Sequence, residues 1–295
     1  MSAAGERTMQ VLVTGAGGSL GRQVCRELLG RGHAVRAADV PGVDLSEFAG
    51  SAEVVAADVR DADLVARLTS DVDAVVHLAA LLPPASERDR ALTMAVNLEG
   101  TRNVLDGLAA AGRRGHLVFA SSVSTYGDTT TEEPPVRPDH PLRPLDVYAE
   151  SKIEGERLIR AQTEVPWTVL RVAGISVPAF LEPPAVWPFR ADQRVEFVNR
   201  DDVALAMANC VGNAAVYGRA LTIAGGRSWQ MLGRDYVKAH FDVYGVDLEE
   251  AVYRSEPGWM DWYDTSDSQA LLRYQRTTFR DYVDLLTQAI EAALG

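Results

Sequence analysis

Tyr148 and Lys152 lie four residues apart in the sequence D-V-Y-A-E-S-K, which is predicted to be helical. Side chains at positions i and i+4 of a helix share one face, so the phenol and the ammonium are expected to be neighbours. A phenol has a pKa of about 10 and is a poor base at neutral pH, but an adjacent ammonium favours the phenolate. The same spacing also occurs by chance in many helices, as a surface cation near an aromatic ring. The pair therefore needs support from the rest of the chain.

A glycine-rich stretch follows the first predicted strand and reads V-L-V-T-G-A-G-G-S-L-G from 11 to 21. Gly15 would allow a tight turn, and Gly18 would let the backbone approach a pyrophosphate. Gly21 would let the next helix pack closely on the sheet, with the phosphates at the N-terminus of that helix. Glycine turns without a ligand are common, so this stretch alone is weak evidence for a dinucleotide.

Asp39 ends the second predicted strand, about 20 residues beyond the glycines, where a carboxylate can accept hydrogen bonds from both ribose hydroxyls of a dinucleotide. A 2′-phosphate at that place would meet like charge. NAD is therefore favoured over NADP, although Arg36 lies nearby, and an aspartate at a strand end is also an ordinary turn residue.

Strand-like and helical segments alternate up to about Arg171. The predicted strands are 10–14, 34–38, 54–56, 74–77, 116–120 and 168–170, and the predicted helices are 19–31, 61–69, 88–111 and 146–161. Such alternation indicates βαβ crossovers and a parallel sheet that is covered on both faces. We therefore predict an α/β protein with a Rossmann-type doubly wound parallel sheet, whose ligands bind beyond the carboxyl ends of the strands.

The pattern loosens after Arg171. A proline-rich loop is predicted at 177–189, and a strand at 195–198, a helix at 201–211 and a strand at 220–223 are predicted to return to the sheet. Residues from about 228 onward are predicted to be mostly helical, with four long segments. The predicted domains are a dinucleotide-binding domain at 1–172, joined by 195–225, and a small, mostly helical substrate-binding lobe at 173–194 and 226–295.

Composition excludes several classes of protein. The chain of 295 residues is 47% hydrophobic and carries a formal charge of −12, so it can build a large core and would repel nucleic acid. Cys25 and Cys210 cannot form a four-ligand zinc site, and no metal is expected. The first eight residues are polar and no apolar run approaches the roughly 20 residues of a membrane span. A cytoplasmic protein with a small-molecule substrate and no membrane partner is expected.

Five motifs occur in order: T-G-A-G-G-S-L-G from 14 to 21, H-L-A-A at 77–80, N-L-E-G-T at 97–101, S-S-V-S-T-Y-G at 121–127 and Y-A-E-S-K at 148–152. In this combination the chain resembles the extended short-chain dehydrogenase/reductase superfamily, in its NAD-dependent epimerase/dehydratase branch. The resemblance covers roughly residues 9–172, and V-N-R-D-D-V-A at 198–204 is similar to a later segment of that family.

The resemblance implies that Tyr148 is the general acid/base and that Lys152 lowers the pKa of Tyr148 and holds the nicotinamide ribose. It implies that Ser122 orients the substrate, with Ser124 as the alternative, and that Asn97 is structural or part of a water relay. Asp58 matches the residue that contacts adenine. The residues expected to contact the cofactor are Gly15, Gly18, Ser19, Leu20, Gly21, Asp39, Asp58, Val59, Leu78, Ala79, Ala80, Tyr148 and Lys152.

The chain departs from the family where a sugar nucleotide would bind. Val172 stands where relatives of this type carry proline, and only about 25 residues separate it from the V-N-R-D-D segment, so the lobe is short. Arg171 and Arg194 are expected to contact the substrate, but the second is displaced by one position. The acidic pair of dehydratases is replaced by Val123 and Ser124, which disfavours elimination of water.

Three functions remain open at this point. The first is oxidation of a secondary alcohol in a sugar or sugar nucleotide, with epimerisation through a transient ketone. The second is net dehydrogenation or ketone reduction of a smaller substrate, and the third is dinucleotide sensing without catalysis, against which the intact Tyr148, Lys152 and Ser122 argue. The resemblance also implies a homodimer through the helices at 88–111 and 146–161.

Overall fold

The structure is a computed structural model and describes residues 7–112 and 115–294. Its strands are β1 (Gln10–Thr14), β2 (Ala34–Asp39), β3 (Glu53–Ala56), β4 (Ala74–His77), β5 (His116–Ser122), β6 (Trp167–Val172), β7 (Gly174–Ser176), β8 (Arg194–Val195), β9 (Phe197–Asn199), β10 (Arg219–Ile223) and β11 (Met231–Leu232). Its helices are α1 (Ser19–Gly30), α2 (Ala62–Thr69), α3 (Arg90–Met94), α4 (Gly100–Ala110), α5 (Val147–Ala161), α6 (Arg200–Cys210), α7 (Gly233–Tyr244), α8 (Ser266–Leu272) and α9 (Phe279–Leu294).

Seven strands form the central sheet in the order β10-β6-β5-β4-β1-β2-β3. β1 pairs in parallel with β2 and with β4, and the pairs β2–β3 and β4–β5 are parallel as well. The strand order reverses between β1 and β4, and in open α/β sheets the ligand crevice lies at that reversal. The predicted Rossmann-type doubly wound fold is confirmed.

The central strands are apolar along their length because both faces of the sheet are covered. Every residue of β4 is buried, and so are the last four residues of β1. A core of buried side chains from strands and from α2, α4 and α5 packs on the sheet, including Leu12, Val65, Leu108, Phe119 and Ile159. The sheet is thus a rigid support for the loops at its carboxyl edge.

Three predictions about secondary structure were wrong in detail. The helix predicted at 88–111 is divided into α3 and α4 by a π-helical turn, Ala95–Glu99. The strand predicted at 195–198 is split into β8, which pairs with β11, and β9, which pairs with β7, so neither belongs to the central sheet. The region predicted to hold four long helical segments holds α7, α8 and α9, because residues 251–265 form no helix around Pro257 and Gly258.

The chain divides into two compact units. Unit 1 comprises residues 1–121, 146–170 and 204–220, and unit 2 comprises residues 122–145, 171–203 and 221–295. Unit 2 has its own aromatic core, in which Phe197 stacks on Tyr236 with ring centroids 4.1 Å apart and Trp187, Phe189 and Trp229 pack nearby. No helix in the part of the chain that the structure describes is both long and apolar enough to cross a lipid bilayer.

Candidate active site

Two of the glycines after β1, Gly15 and Gly21, occupy places where a side chain would collide with backbone. Gly15 has a φ of +70°, and a Cβ there would lie 2.8 Å from the amide nitrogen of Ala79, in the loop after β4. A Cβ on Gly21 would lie 2.1 Å from the carbonyl oxygen of Gly15. A Cβ on Gly18 would contact only the carbonyl oxygen of Gly15, at 3.4 Å. Packing within the protein therefore accounts for Gly15 and Gly21, whereas Gly18 leaves room beside the backbone.

Helix α1 begins at Ser19, directly after these glycines. Among the described residues no side chain caps its N-terminus, and its first turn, which includes Ser19 and Leu20, holds no acidic residue. The amides of a helix N-terminus and the helix dipole favour an anion at this position. The loop and the helix together fit the pyrophosphate of a dinucleotide.

Asp39 holds its carboxylate against the glycine loop. Its Oδ2 accepts a hydrogen bond from the amide of Gly17 at 2.8 Å, and its Oδ1 accepts one from the amide of Val40 at 2.8 Å. A carboxylate has further lone pairs for ligand hydroxyls when two backbone amides are bound. Asp39 ends β2, and its carboxylate at this place fits a ribose that carries both hydroxyls and no 2′-phosphate.

Arg36, three residues before Asp39, forms hydrogen bonds with groups of the protein itself. Its guanidinium donates to Glu53 at 2.7 Å, to Asp71 at 2.7 Å and to the carbonyl oxygen of Leu68 at 2.7 Å. The hydrogen bond with Asp71 is the main cause that raises the pKa of Arg36, and burial opposes it. These contacts place the guanidinium among acids, so it does not offer a site for a 2′-phosphate.

Two further segments that were predicted to contact the cofactor lie in unit 1. Asp58 is ion-paired with Arg60 at 2.5 Å, and the hydrogen bond from Arg60 lowers the pKa of Asp58 in spite of partial burial. Val59 is buried, and its carbonyl oxygen accepts a hydrogen bond from Asn103 at 2.9 Å. Leu78, Ala79 and Ala80 are half-buried and follow β4.

Helix α5 carries Tyr148 in its first turn and Lys152 one turn later. The ammonium of Lys152 lies 5.7 Å from the centroid of the Tyr148 ring and 4.9 Å from that of Phe119. It donates a hydrogen bond to the carbonyl oxygen of Ala120, on β5, at 2.8 Å. Asp146 caps the helix by accepting from the amide of Ala149. The predicted acid/base pair therefore exists as neighbours on one helix face.

Lys152 is buried, with 2% of its surface exposed, whereas Tyr148 is half-buried. Loss of hydration lowers the pKa of Lys152 to about 8, and the negative charge of Glu156 opposes this decrease. At pH 7 the lysine is still mostly charged. An ammonium held in a low-dielectric site next to a phenol acts strongly on that phenol, because water does not screen it.

Asn97 lies in the π-helical turn and is buried. Its amide oxygen accepts from the amide of Leu81 at 2.7 Å, and its Nδ2 donates to the carbonyl oxygen of Leu81 at 3.1 Å and to Ser151 Oγ at 2.9 Å. Ser151 Oγ in turn donates to the carbonyl oxygen of Tyr148 at 2.7 Å. These contacts support the structural role that was one of the two alternatives for Asn97.

The remaining predicted residues belong to unit 2. Ser122 Oγ accepts hydrogen bonds from the amide and the hydroxyl of Ser124, at 3.1 and 2.9 Å. Arg171 is buried and donates to the hydroxyl of Tyr126 at 3.2 Å and to the carbonyl oxygen of Pro138 at 2.8 Å. The hydroxyl pair shows that Ser122 and Ser124 share one environment, so either could serve the predicted role.

Arg194 is also held by its own unit. Its guanidinium pairs with the buried carboxylate of Asp261 at 2.5 and 2.9 Å, and it donates to the carbonyl oxygens of Thr129, Thr130 and Glu132. The hydrogen bond with Asp261 raises the pKa of Arg194. The contacts thus tie this arginine to the fold of unit 2 and do not favour the predicted contact with the substrate.

Residues 11–178 match the sequence model of the NAD dependent epimerase/dehydratase family. The matched segment includes the glycine loop, the loop after β4 and the helix with Tyr148 and Lys152. The chain belongs to this family. The epimerase/dehydratase branch that the resemblance in sequence predicted is thereby confirmed.

Two curated relatives show the range of chemistry near this member of the epimerase/dehydratase family. The chain is 34% identical to D-erythronate dehydrogenase of Cupriavidus necator over 183 residues, which are 57% of this chain and 56% of that protein. It is 32% identical to UDP-glucose 4-epimerase of Lactobacillus helveticus over 178 residues, 57% of this chain and 53% of that protein. The chain thus spans about half the length of the curated relatives it matches.

Among solved structures, a UDP-glucose 4-epimerase of Thermotoga maritima with UDP-glucose superimposes with a TM-score of 0.83 over 97% of this chain and 100% of that chain. The sequence identity is 20%, so this likeness establishes the fold alone. The likeness in fold thus extends beyond the segment that the family model matches.

Sequence reasoning missed two acidic residues around the helix that carries Tyr148 and Lys152 in this family member. The Glu87 carboxylate accepts hydrogen bonds from the amides of Val147 and Tyr148, at 2.9 and 3.1 Å. Glu156 is buried on α5 and accepts a hydrogen bond from Ser121. The position of Glu156 four residues after Lys152 was a signal that could have been followed, whereas Glu87 lies 60 and 61 residues before the two amides that it binds.

Proposed function

We propose that this family member oxidises a secondary alcohol of a small sugar-like substrate with NAD and reduces the corresponding ketone in the reverse direction. The observation that carries the proposal is the buried ammonium of Lys152 beside Tyr148 on α5, in the same unit as the glycine loop. An acid/base group and a dinucleotide site within one unit support hydride chemistry rather than sensing without catalysis.

NAD, when bound, supplies the hydride acceptor at C4 of its nicotinamide. Tyr148 Oη takes the proton from the substrate hydroxyl, and the charge of Lys152 favours the phenolate that does so. Ser122, with Ser124 as the alternative, is proposed to donate a hydrogen bond to the substrate oxygen. The glycine loop and the N-terminus of α1 would hold the pyrophosphate, and Asp39 the adenosine ribose.

The proposed substrate lacks a nucleoside diphosphate. Arg171 and Arg194 were expected to contact the substrate, and the hydrogen bonds from Arg171 to Pro138 and from Arg194 to Asp261 lie inside unit 2. Residues 173–194 and 226–295 are proposed to contribute the substrate-binding lobe. Likeness to D-erythronate dehydrogenase supports a net dehydrogenase that acts on a polyhydroxylated substrate of that size.

Epimerisation through a transient ketone is the second candidate, and a sugar nucleotide would then be the substrate. It is supported by the 32% identity to UDP-glucose 4-epimerase over 178 residues. A homodimer formed through α3, α4 and α5 and a location in the cytoplasm remain predictions from the sequence.

The two candidates differ in the fate of the reduced cofactor. The enzyme would be supplied with excess NAD and a panel of sugar acids, free sugars and sugar nucleotides, and absorbance at 340 nm would be followed during turnover. Steady accumulation of NADH with a sugar acid or free sugar is the expected result. Conversion of a sugar nucleotide into its epimer without NADH release would overturn net dehydrogenation in favour of the second candidate.

Replacing Asp39 with alanine is expected to raise the Kd for NAD about 10- to 100-fold, because hydrogen bonds to a charged group contribute roughly 1.5–3 kcal/mol. Discrimination against NADP should decrease as well, since the like charge facing a 2′-phosphate is removed. Calorimetric titration with both dinucleotides measures the two effects. Asp106→Ala, at an exposed position of α4, is the control for loss of one negative charge, and equal NAD affinity in the two variants would contradict the assignment.

A further inference from the structure

Glu156 is a carboxylate with 1% of its surface exposed, on the helix that carries Tyr148 and Lys152. It accepts a hydrogen bond from Ser121 Oγ at 2.7 Å and forms an ion pair with Arg160 at 3.4 Å. Taking a carboxylate out of water costs several kcal/mol unless charges and donors compensate it. A buried acid at this place therefore needs an explanation in terms of its neighbours.

Lys152, Glu156 and Arg160 follow one another at intervals of four residues and share a face of α5. The Arg160 side chain is 41% exposed and lies 5.2 Å from the ring centroid of Trp167, so water reaches the charge of Arg160. Lys152, in contrast, is buried. Water therefore weakens the interaction of Glu156 with Arg160 more than it would weaken an interaction with the buried Lys152.

Strand β5 forms hydrogen bonds with both Lys152 and Glu156. The carbonyl oxygen of Ala120 accepts from Lys152 Nζ at 2.8 Å, and the next residue, Ser121, donates to Glu156. Two consecutive residues of one strand thus hold two ionisable side chains that are one helical turn apart. The hydrogen bond to Ala120 holds the ammonium of Lys152 at the carboxyl end of β5.

Among the described residues, the other groups near Lys152 present rings. His77, on β4, is buried between the hydroxyls of Thr14 and Thr101, and burial together with the charge of Lys152 lowers the pKa of His77 to about 3. Tyr148 and Phe119 present their rings. Among the described residues, Glu156 is the group whose negative charge opposes the desolvation of Lys152.

We propose that Glu156 is a positioning residue that acts through Lys152, its buried carboxylate keeping the ammonium charged and holding it in place beside Tyr148. The link between Glu156 and Lys152 rests on their spacing along α5, on their burial and on their consecutive partners on β5. Its consequence for catalysis rests on the proposed function, in which the ammonium favours the phenolate of Tyr148.

The sign of the effect follows from the pKa of Lys152, which burial lowers to about 8. The ammonium persists below that pH and is lost as the pH rises through it. Neutralising Glu156 removes the charge that opposes desolvation, so the pKa of Lys152 decreases further. The alkaline limb of kcat/KM should therefore move to lower pH in Glu156→Gln.

The chain contains only two lysines, Lys152 and Lys238, so lysine labelled with ¹³C at Cε gives two NMR signals, and Lys238→Arg assigns them. In the protein without NAD, Glu156→Gln is expected to lower the titration midpoint of Lys152 by about one pH unit. The control is Glu154→Gln. Glu154 lies on the same helix, where it forms an ion pair with Arg157, and loss of its negative charge should shift the midpoint of Lys152 far less. An unchanged or higher midpoint in Glu156→Gln, or an equal shift in both variants, would overturn the proposal.

Arg160→Gln provides a test of opposite sign and remains informative if Glu156→Gln does not fold. Arg160 forms an ion pair with Glu156, so removing its positive charge should raise the titration midpoint of Lys152. An unchanged midpoint would count against the proposal. The pH profile of kcat/KM is then compared with the NMR midpoint. If the midpoint moves and the profile does not, the link to Lys152 stands and the proposed role of Lys152 in catalysis fails.

Discussion

Tyr148→Phe is expected to lower kcat by about 10²- to 10⁴-fold, which is the usual contribution of a positioned general acid or base. The substitution removes one hydroxyl and leaves the ring, so the contact of the ring with Lys152 persists. The affinity for NAD should change little, because the glycine loop and Asp39 are expected to supply most of the contacts with the dinucleotide.

Rates would be measured through NADH absorbance, and NAD affinity by calorimetry, on proteins whose melting temperatures are compared first. Tyr217→Phe, a tyrosine of unit 1 outside α5, is the matched control and should keep its activity. Full activity in Tyr148→Phe would remove the acid/base assignment. A loss of NAD affinity as large as the loss of kcat would show that the tyrosine acts mainly in binding.

Gly21→Ala is expected to destabilise unit 1 by about 1–3 kcal/mol, the range for overpacking of a tight contact, and to weaken NAD binding strongly. The added methyl group would lie 2.1 Å from the carbonyl oxygen of Gly15 and 2.8 Å from Cα of Ala16. Both atoms are backbone, so the substitution is accommodated only if α1 moves away from the loop. Such a shift would change the position of the amides that are proposed to hold the pyrophosphate.

Gly30→Ala is the matched control because it lies in the same helix and a Cβ there meets nothing within 4 Å. It should leave NAD affinity unchanged and alter stability by less than about 1 kcal/mol. Denaturant unfolding and NAD titration of both variants provide the comparison. Normal stability and normal affinity in Gly21→Ala would show that the loop tolerates a side chain at this position.

The two sets of predictions concern different parts of one mechanism. Tyr148 and Lys152 determine whether a proton can move, whereas Gly21 and Asp39 determine whether the dinucleotide is held. Neither set depends on the identity of the substrate. The NADH experiment then distinguishes a dehydrogenase from an epimerase, since both would lose turnover in Tyr148→Phe.

The sequence by itself determined the features that depend on local order along the chain. The bounds of β1 and β4 were predicted without error, the strand–glycine–helix unit was found, and Tyr148 and Lys152 were placed on one helix face. Hydrophobic period and helical spacing act over a few residues, so they are visible without coordinates. The alternation of strands and helices sufficed for the Rossmann-type fold.

Only the tertiary structure decided which partners the side chains meet. Arg36 turned out to be held by Glu53 and Asp71, and Arg194 by Asp261, which lies 67 residues further along the chain. The pairing of β8 and β9 outside the central sheet was equally invisible in the local pattern. Such contacts join residues that are distant in sequence, and burial, which sets their strength, is a property of the folded chain as a whole.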